Sequence, residues 1–157
     1  MEENRVILSH NCGIGLNKGL ASEIENIFLI TNPPYISENA FGALSMAMAS
    51  ANHDILTKVV FIEDGIYCLS GIHEIQPDDH IFNVQDIIES TGDMESLQYY
   101  LYEPSVEMRG VDILDYVKEF KTIQSQGLKD VLFDFNFEQT QGKPKMRSIK
   151  HKRIIFY

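Results

Sequence analysis

The pattern of apolar and polar positions predicts a strand–helix–strand unit in the first half of the chain. A continuous apolar run, VVFI at 59–62, is typical of a strand buried on both faces of a sheet. An earlier strand is predicted at 27–31 and a helix at 37–52. Their short links indicate a βαβ unit, which implies parallel strands and a right-handed crossover. We expect the chain to be organised around residues 56–71, with Glu63-Asp64-Gly65 meeting solvent where the apolar run ends.

The predicted helix is unusual because it has no charged face. Residues 40–51 carry only small or apolar side chains and two serines, and Ser37 is a good N-cap residue. A helix that is apolar all round is expected to be buried all round. One side would cover the sheet and the other would meet a second subunit. This pattern therefore predicts an oligomer.

The later pattern continues the alternation of strands and helices. Proline at the start of one short helix and Gly110 after its end follow the usual positional preferences of these residues. The predicted elements are a helix at 81–90, a strand at 96–102, a helix at 104–109, a strand at 120–123, a helix at 124–135, a polar loop at 136–148 and a closing strand at 153–157. We predict an α/β fold in one domain over 1–157, with its core at 24–157 and an N-terminal extension at 1–23.

Composition excludes several classes of protein. The chain has 157 residues, 44% of them hydrophobic, and no window long and apolar enough to span a membrane. The N-terminus lacks a basic start followed by an apolar segment, so we expect a cytoplasmic protein. Two cysteines, Cys12 and Cys68, form neither a disulfide framework nor a CxxC pair, which argues against metal binding through cysteine.

Charge is distributed unevenly over a chain whose net charge is −10. No acidic residue follows Glu138, and the rest of the chain carries 7 basic against 23 acidic residues, a net charge of −16. A basic tail on an acidic body predicts contact with an acidic neighbour or an RNA backbone, or a solvated strand edge kept soluble by lysines. Nucleic-acid binding is not expected elsewhere. The tail contains Lys143, Lys145, Arg147, Lys150, Lys152 and Arg153.

A ligand site in an open α/β sheet lies beyond the carboxyl ends of the strands. Three carboxylates and two tyrosines follow predicted strand ends here, and such oxygen ligands suit Mg²⁺ or Ca²⁺. Solvated strand-end carboxylates and helix caps explain the same residues, so we predict neither a metal nor a cofactor. We call this predicted surface the rim; it consists of Tyr35, Glu63, Asp64, Tyr102, Glu103 and Ser105.

The histidines and cysteines offer few nucleophilic arrangements. His10 and Cys12 flank one asparagine, which allows a His-activated thiol, although no third orienting group is evident. Cys68 lies in an apolar context typical of a small core residue. The remaining histidines lack metal-ligand spacing, and we interpret them as structural or surface residues: His53, His73, His80 and His151.

Four blocks of sequence follow one another along the chain: Pro-Pro-Tyr after the first strand, FGALSMAMASA in the helix, VVFIEDGIYCLSG, and SLQYYLYEPSVEMRGVD at 96–112. In this order and spacing they resemble the DsrE/DsrF-like sulfur-relay proteins. The apolar run followed by Asp-Gly is closest to the DsrF/TusC branch. The closing strand at 152–157 also resembles that of the family. The similarity covers about residues 27–120 and the last few residues.

The resemblance implies a Rossmann-like three-layer α/β sandwich with a mainly parallel sheet of about five strands, assembling with itself or with DsrE-like paralogues. Active members carry sulfur as a cysteine persulfide at the end of the third strand, in sulfur oxidation or tRNA thiolation. That position is Tyr102 here, followed by Glu103. The resemblance then implies a non-catalytic, partner-binding subunit of a sulfur relay. The alternatives are a sulfurtransferase that uses Cys12 or Cys68, and a stand-alone module that binds a small ligand or metal at the rim.

Overall fold

The structure, a computed structural model, describes residues 24–76, 78, 81–115, 117, 120–133 and 151–157. Strands and helices alternate along this part of the chain. In order, the elements are β1 (Ile24–Ile30), α1 (Asn39–Asn52), β2 (Leu56–Phe61), a 3-10 helix (Glu63–Leu69), α2 (Val84–Thr91), β3 (Leu97–Tyr102), α3 (Glu103–Arg109), β4 (Lys121–Ile123), α4 (Ser125–Phe133) and β5 (His151–Phe156).

The five strands form one sheet in the order β4-β3-β2-β1-β5, and every neighbouring pair is parallel. The predicted βαβ unit is confirmed, and β2 is the middle strand of the sheet. Val59, Val60 and Phe61 are fully buried, as expected for a strand covered on both faces.

Helices cover both faces of the sheet, which gives the three layers expected of a Rossmann-like α/β fold. Side chains of α1, α2 and α3 share one core with Phe28 and Val59. Leu128, Val131 and Leu132 of α4 pack in a second core on the opposite face. The strand order explains why the helices lie on both faces. The chain moves in one direction from β1 to β4 and then returns across the sheet to β5, and right-handed crossovers in opposite directions lie on opposite faces.

The start of α1 differs from the sequence prediction. The helix begins at Asn39 with Glu38 in the N-cap position, and the Glu38 side chain makes no capping hydrogen bond. The prediction of Ser37 as N-cap was wrong. The Ser37 hydroxyl lies one residue too early and accepts a long hydrogen bond of 3.4 Å from the Asn39 N–H.

Burial of α1 is one-sided. Its buried residues, spaced at three- and four-residue intervals, face the sheet, whereas Met46 on another side is 49% exposed. One side of the helix thus covers the sheet, as the sequence predicts. Its contact with a second subunit stays a prediction. The buried residues are Ala40, Ala43, Leu44, Ala47 and Ala51.

The other boundaries differ by a few residues. Helix α2 begins at Val84, capped by the Asn83 side chain, rather than at Ile81. Strand β5 begins at His151 rather than at Arg153, and α4 is described to Phe133. Predictions for 1–23 and 136–148 lie outside the described residues. No helix in the described part of the chain is long and apolar enough to cross a membrane.

Gly65 was predicted to meet solvent, and this was wrong. It is buried in the 3-10 helix that follows β2. A Cβ atom at this position would lie 1.9 Å from the carbonyl oxygen of Ile30 and 2.6 Å from its carbon. The same oxygen accepts a hydrogen bond from the Ile62 N–H at 3.1 Å, so the backbone of Ile30 cannot move aside freely. Only glycine fits between the ends of β1 and β2.

We expect Gly65→Ala to lower the free energy of unfolding by about 3 kcal/mol, because the new methyl group overlaps backbone atoms. Gly42→Ala is the matched control. A Cβ there has nothing within 4 Å, and alanine in a helix interior should stabilise by about 0.5–1 kcal/mol. Urea denaturation followed by circular dichroism measures both. Equal effects of the two substitutions would contradict the close approach of Gly65 and Ile30.

Candidate functional site

The rim lies along one edge of the sheet, because all strands are parallel and its residues follow strand ends. Tyr35 follows β1, Glu63 and Asp64 follow β2, and β3 leads directly into α3 at Tyr102. The structure resolves this edge into three groups of contacts. One lies beyond β1, one between β2 and α3, and one between β3 and α4.

The group between β2 and α3 is held by a backbone hydrogen bond and an ion pair. Glu63 has a φ of 54°, a left-handed conformation that is costly for a residue with a Cβ. Its N–H donates to the Ser105 hydroxyl at 2.8 Å, and Ser105 is buried. Arg109 Nε donates to Asp64 Oδ1 at 2.6 Å.

Arg109 was not among the predicted site residues. It lies at the last position of α3, just before Gly110, whose φ of 58° ends the helix. The Arg-Gly pair was visible in the sequence as part of the family resemblance. Its pairing with Asp64 was not, because the two residues are 45 positions apart.

The group between β3 and α4 is polar. The Tyr102 hydroxyl and the Ser125 hydroxyl are 2.9 Å apart, and Gln124 Nε2 donates to Glu103 Oε2 at 2.9 Å. Tyr102 occupies the N-cap position of α3 without capping it through its side chain. Glu103 is therefore held toward α4, away from the ion pair of Asp64 and Arg109.

Tyr35 belongs to a separate hydrogen-bonded group beyond β1. Its φ of 67° is strained for an aromatic residue. Its hydroxyl lies 2.8 Å from His73 Nδ1 and 3.3 Å from Asn83 Oδ1, and it accepts a hydrogen bond from the Val84 N–H at 3.3 Å. This group ties the segment after β1 to the start of α2.

The tautomer of His73 follows from its partners. Nε2 lies 3.2 Å from the carbonyl oxygen of Tyr67, which can only accept, so Nε2 carries the hydrogen and Nδ1 accepts from Tyr35. Burial lowers the pKa of His73 and raises the pKa of Tyr35, which keeps both side chains neutral near pH 7. Sequence reasoning interpreted His73 as structural or surface and missed this pairing.

Two of the three rim carboxylates are engaged by other side chains. Asp64 is paired with Arg109 and Glu103 accepts from Gln124. In the described part of the chain, no group of three or more His, Cys, Asp or Glu side chains is placed to hold a metal ion. The segments of the rim are connected by hydrogen bonds and an ion pair. Two of its residues, Tyr35 and Glu63, have strained backbone conformations after neighbouring strands.

Comparison with known proteins assigns the family. The DsrE/DsrF-like family model matches residues 26–134, from β1 to the end of α4. The chain belongs to the DsrE/DsrF-like family. Among solved structures, the YchN protein of Escherichia coli has a similar fold, with a TM-score of 0.58 and 16% sequence identity. The match covers 85% of this chain and 99% of YchN. No curated protein matches the sequence significantly.

Cys68 is a core residue of this DsrE/DsrF-like domain. Its side chain lies in the 3-10 helix after β2, fully buried with Ile66 and Leu69. Burial raises the pKa of the Cys68 thiol to about 12. A thiol that is neither accessible nor ionised at neutral pH is a poor nucleophile. The other candidate, Cys12, lies outside the described residues.

We expect the Cys68 thiol to be unreactive in the folded protein. A Cys12→Ala variant retains Cys68 as its single cysteine. Ellman's reagent should not react with this variant at pH 8, and it should titrate one thiol after denaturation. Fast stoichiometric reaction of the folded variant would contradict the burial of Cys68.

Removal of the Ser105 hydroxyl should destabilise the rim. Ser105→Ala leaves the Glu63 N–H without its acceptor, and we expect a loss of about 1 kcal/mol in the free energy of unfolding. Ser90→Ala is the control, because Ser90 is an exposed helical serine whose hydroxyl donates only to the Ile87 carbonyl of its own helix. Urea denaturation should show little effect of the control. An equally small effect of Ser105→Ala would mean that the hydrogen bond does not hold Glu63.

Proposed function

We propose that this DsrE/DsrF-like chain serves a cytoplasmic sulfur relay as an oligomer-forming, partner-binding subunit that carries no sulfur itself. The proposal places it nearest the DsrF/TusC branch. Family membership supports a role related to sulfur relay. The choice between a sulfur carrier and a partner-binding subunit depends on which side chain lies at the end of β3.

The observation that carries the proposal is Tyr102 at the junction of β3 and α3. The family resemblance implies that active members hold their relay cysteine at this junction, where the positive end of the helix dipole favours a thiolate. A phenol cannot form a persulfide. Here the Tyr102 hydroxyl is engaged with Ser125, and the carboxylate of Glu103 follows directly.

The burial of Cys68 supports the same proposal. A displaced carrier would need to reach the rim, whereas Cys68 is enclosed in the core with its pKa raised to about 12. Cys12 remains the alternative carrier, and the experiment below separates it from the proposed non-carrier.

Partner binding at the rim is supported by its geometry. Tyr35 and Glu63 hold costly left-handed backbone conformations at the ends of adjacent strands, and such strain is concentrated at functional sites. The exposed side of α1 around Met46 offers apolar surface for a second subunit. We propose that the rim contacts the sulfur-carrying partner and that copies or paralogues associate through α1.

Intact mass after incubation with a persulfide donor tests the proposal. We expect no gain of sulfur, about 32 Da, by the wild-type chain under conditions that load a known carrier, because only an accessible thiolate accepts the sulfur. Cys12→Ala and Cys68→Ala variants are measured in parallel. A gain that disappears in only one variant would identify that cysteine as a carrier and overturn the proposal.

A Tyr102→Cys change in a chain lacking both native cysteines adds a second arm to the same measurement. Gain of one sulfur by this variant would show that the junction of β3 and α3 still admits a donor and lacks only the thiol. Absence of loading there would mean that the junction has also lost its access, which would argue against the rim as the contact for a sulfur-carrying partner.

A further inference from the structure

A groove of about 550 Å³ lies where the segment after the 3-10 helix meets the start of α2. The Phe82 ring forms part of its wall, is 67% exposed and stacks on Phe41 of α1, with ring centroids 4.9 Å apart. Ile75 and Ile81 supply the rest of its apolar lining. We call this surface the α2 groove; it is lined by residues 73–76, 81–83 and 86.

Side-chain amides fix the shape of the α2 groove. Asn83 Nδ2 donates to the carbonyl oxygen of His73 at 3.0 Å, and the His73 N–H donates to Gln85 Oε1 at 3.0 Å. Gln85 Nε2 also donates to the carbonyl oxygen of Gly71 at 2.8 Å. The segment that continues into Glu74 is thus attached to the start of α2. A ligand therefore meets a surface that is already formed, which lowers the entropy lost on binding.

The charge of the α2 groove is negative. Its two carboxylates, Glu74 and Asp86, are exposed, and neither forms an ion pair with a described residue. Residues 59–108, which include the whole groove, contain eleven acidic residues and no lysine or arginine. Burial lowers the pKa of His73, so its imidazole adds no positive charge near pH 7.

The cations in the described part of the chain lie elsewhere. Lys58 is paired with Glu25 and Arg109 with Asp64. A ligand that complements the α2 groove must therefore bring its own positive charge. The remaining described cations lie at the starts of β4 and β5, at the opposite edge of the sheet from the groove, or in α4 on the opposite face: Lys121, Lys152, Arg153 and Lys129.

Exposed apolar side chains beside the groove indicate the kind of cation that fits. Ile36 and Ile72 are 80% and 81% exposed, and they are the chain neighbours of Tyr35 and His73, whose side chains lie 2.8 Å apart. A metal ion makes no use of apolar walls. Lysine and arginine side chains do, because their methylene stems pack on apolar surface while their charged ends reach carboxylates.

We propose that the α2 groove binds a basic segment of a partner protein, in which lysine or arginine residues alternate with apolar residues. The cations pair with Glu74 and Asp86, and the apolar side chains pack on Phe82. Complementary charge gives such a contact its specificity and makes it sensitive to salt. The groove contains no residue of the rim, so this proposal does not depend on a role in sulfur relay.

Fluorescence anisotropy of labelled peptides with the full-length chain tests the proposal. The probe is the peptide KLKLKLK, and the peptide KSKSKSK carries the same charge without the leucine side chains. We expect wild type to bind KLKLKLK at least about fivefold more tightly than KSKSKSK, because leucine loses apolar surface to the groove. Binding of both peptides should weaken as the salt concentration rises.

Substitutions in the groove separate the two contributions. Glu74→Gln with Asp86→Asn should weaken the binding of both peptides about fivefold, because two attractive charges are lost. Phe82→Ser should weaken the binding of KLKLKLK alone. Asp93→Asn with Glu95→Gln is the matched control, because it removes the same number of charges from exposed residues in the turn before β3. This control should bind both peptides as wild type does.

Three results would overturn the proposal. One is an equal loss of peptide binding in the control and in Glu74→Gln with Asp86→Asn, which would assign the binding to net charge. Another is an unchanged affinity of Phe82→Ser for KLKLKLK. The third is binding of KLKLKLK only after the chain's own tail is neutralised, which would assign the groove to that tail. The variant for this third arm carries Lys143→Ser, Lys145→Ser, Arg147→Ser and Lys150→Ser.

Discussion

The close approach of Gly65 to the carbonyl of Ile30 constrains how the chain leaves β2 toward the rim. Because no side chain fits there, the chain turns directly from β2 into a 3-10 helix that lies against the end of β1. At that turn Glu63 has a left-handed conformation, and its N–H donates a hydrogen bond to the Ser105 hydroxyl of α3. Cys68, in the same 3-10 helix, is buried in the core. The segment after β2 thus places Glu63 and Asp64 on the rim and encloses the Cys68 thiol.

Much of the architecture could be predicted from the sequence, because the strands and helix ends depend on residues close together in the chain. The runs that became β1 and β2 are apolar because strands in the interior of a parallel sheet are covered on both faces. Proline and Gly110 mark the limits of α3 by their backbone preferences alone. Errors occurred where the outcome depends on a distant segment. Gly65 is buried because it packs against the backbone of Ile30, 35 positions earlier in the chain.

The candidate site was predicted less completely for the same reason. Tyr35, Asp64 and Tyr102 could be predicted on one edge of the sheet, because each follows a strand and the strands of βαβ units are parallel. Their partners come from segments 23 to 45 positions away: His73, Arg109 and Ser125. No spacing rule connects an aspartate after β2 with an arginine at the end of α3. The fold alone brings them together.

The order of strands has a consequence for how the protein is made. Strand β1 lies between β2 and β5. Just after β1, the Thr31 hydroxyl donates a hydrogen bond to the carbonyl oxygen of Tyr157, which follows β5 and is 126 positions away. During synthesis, β1 can pair with β2 early, while its other edge stays unpaired until β5 has emerged. An open edge of an apolar strand is a template for pairing with other chains. The pairing of β1 with β5 therefore joins residues far apart in sequence, and we expect it to form after the pairing of β1 with β2.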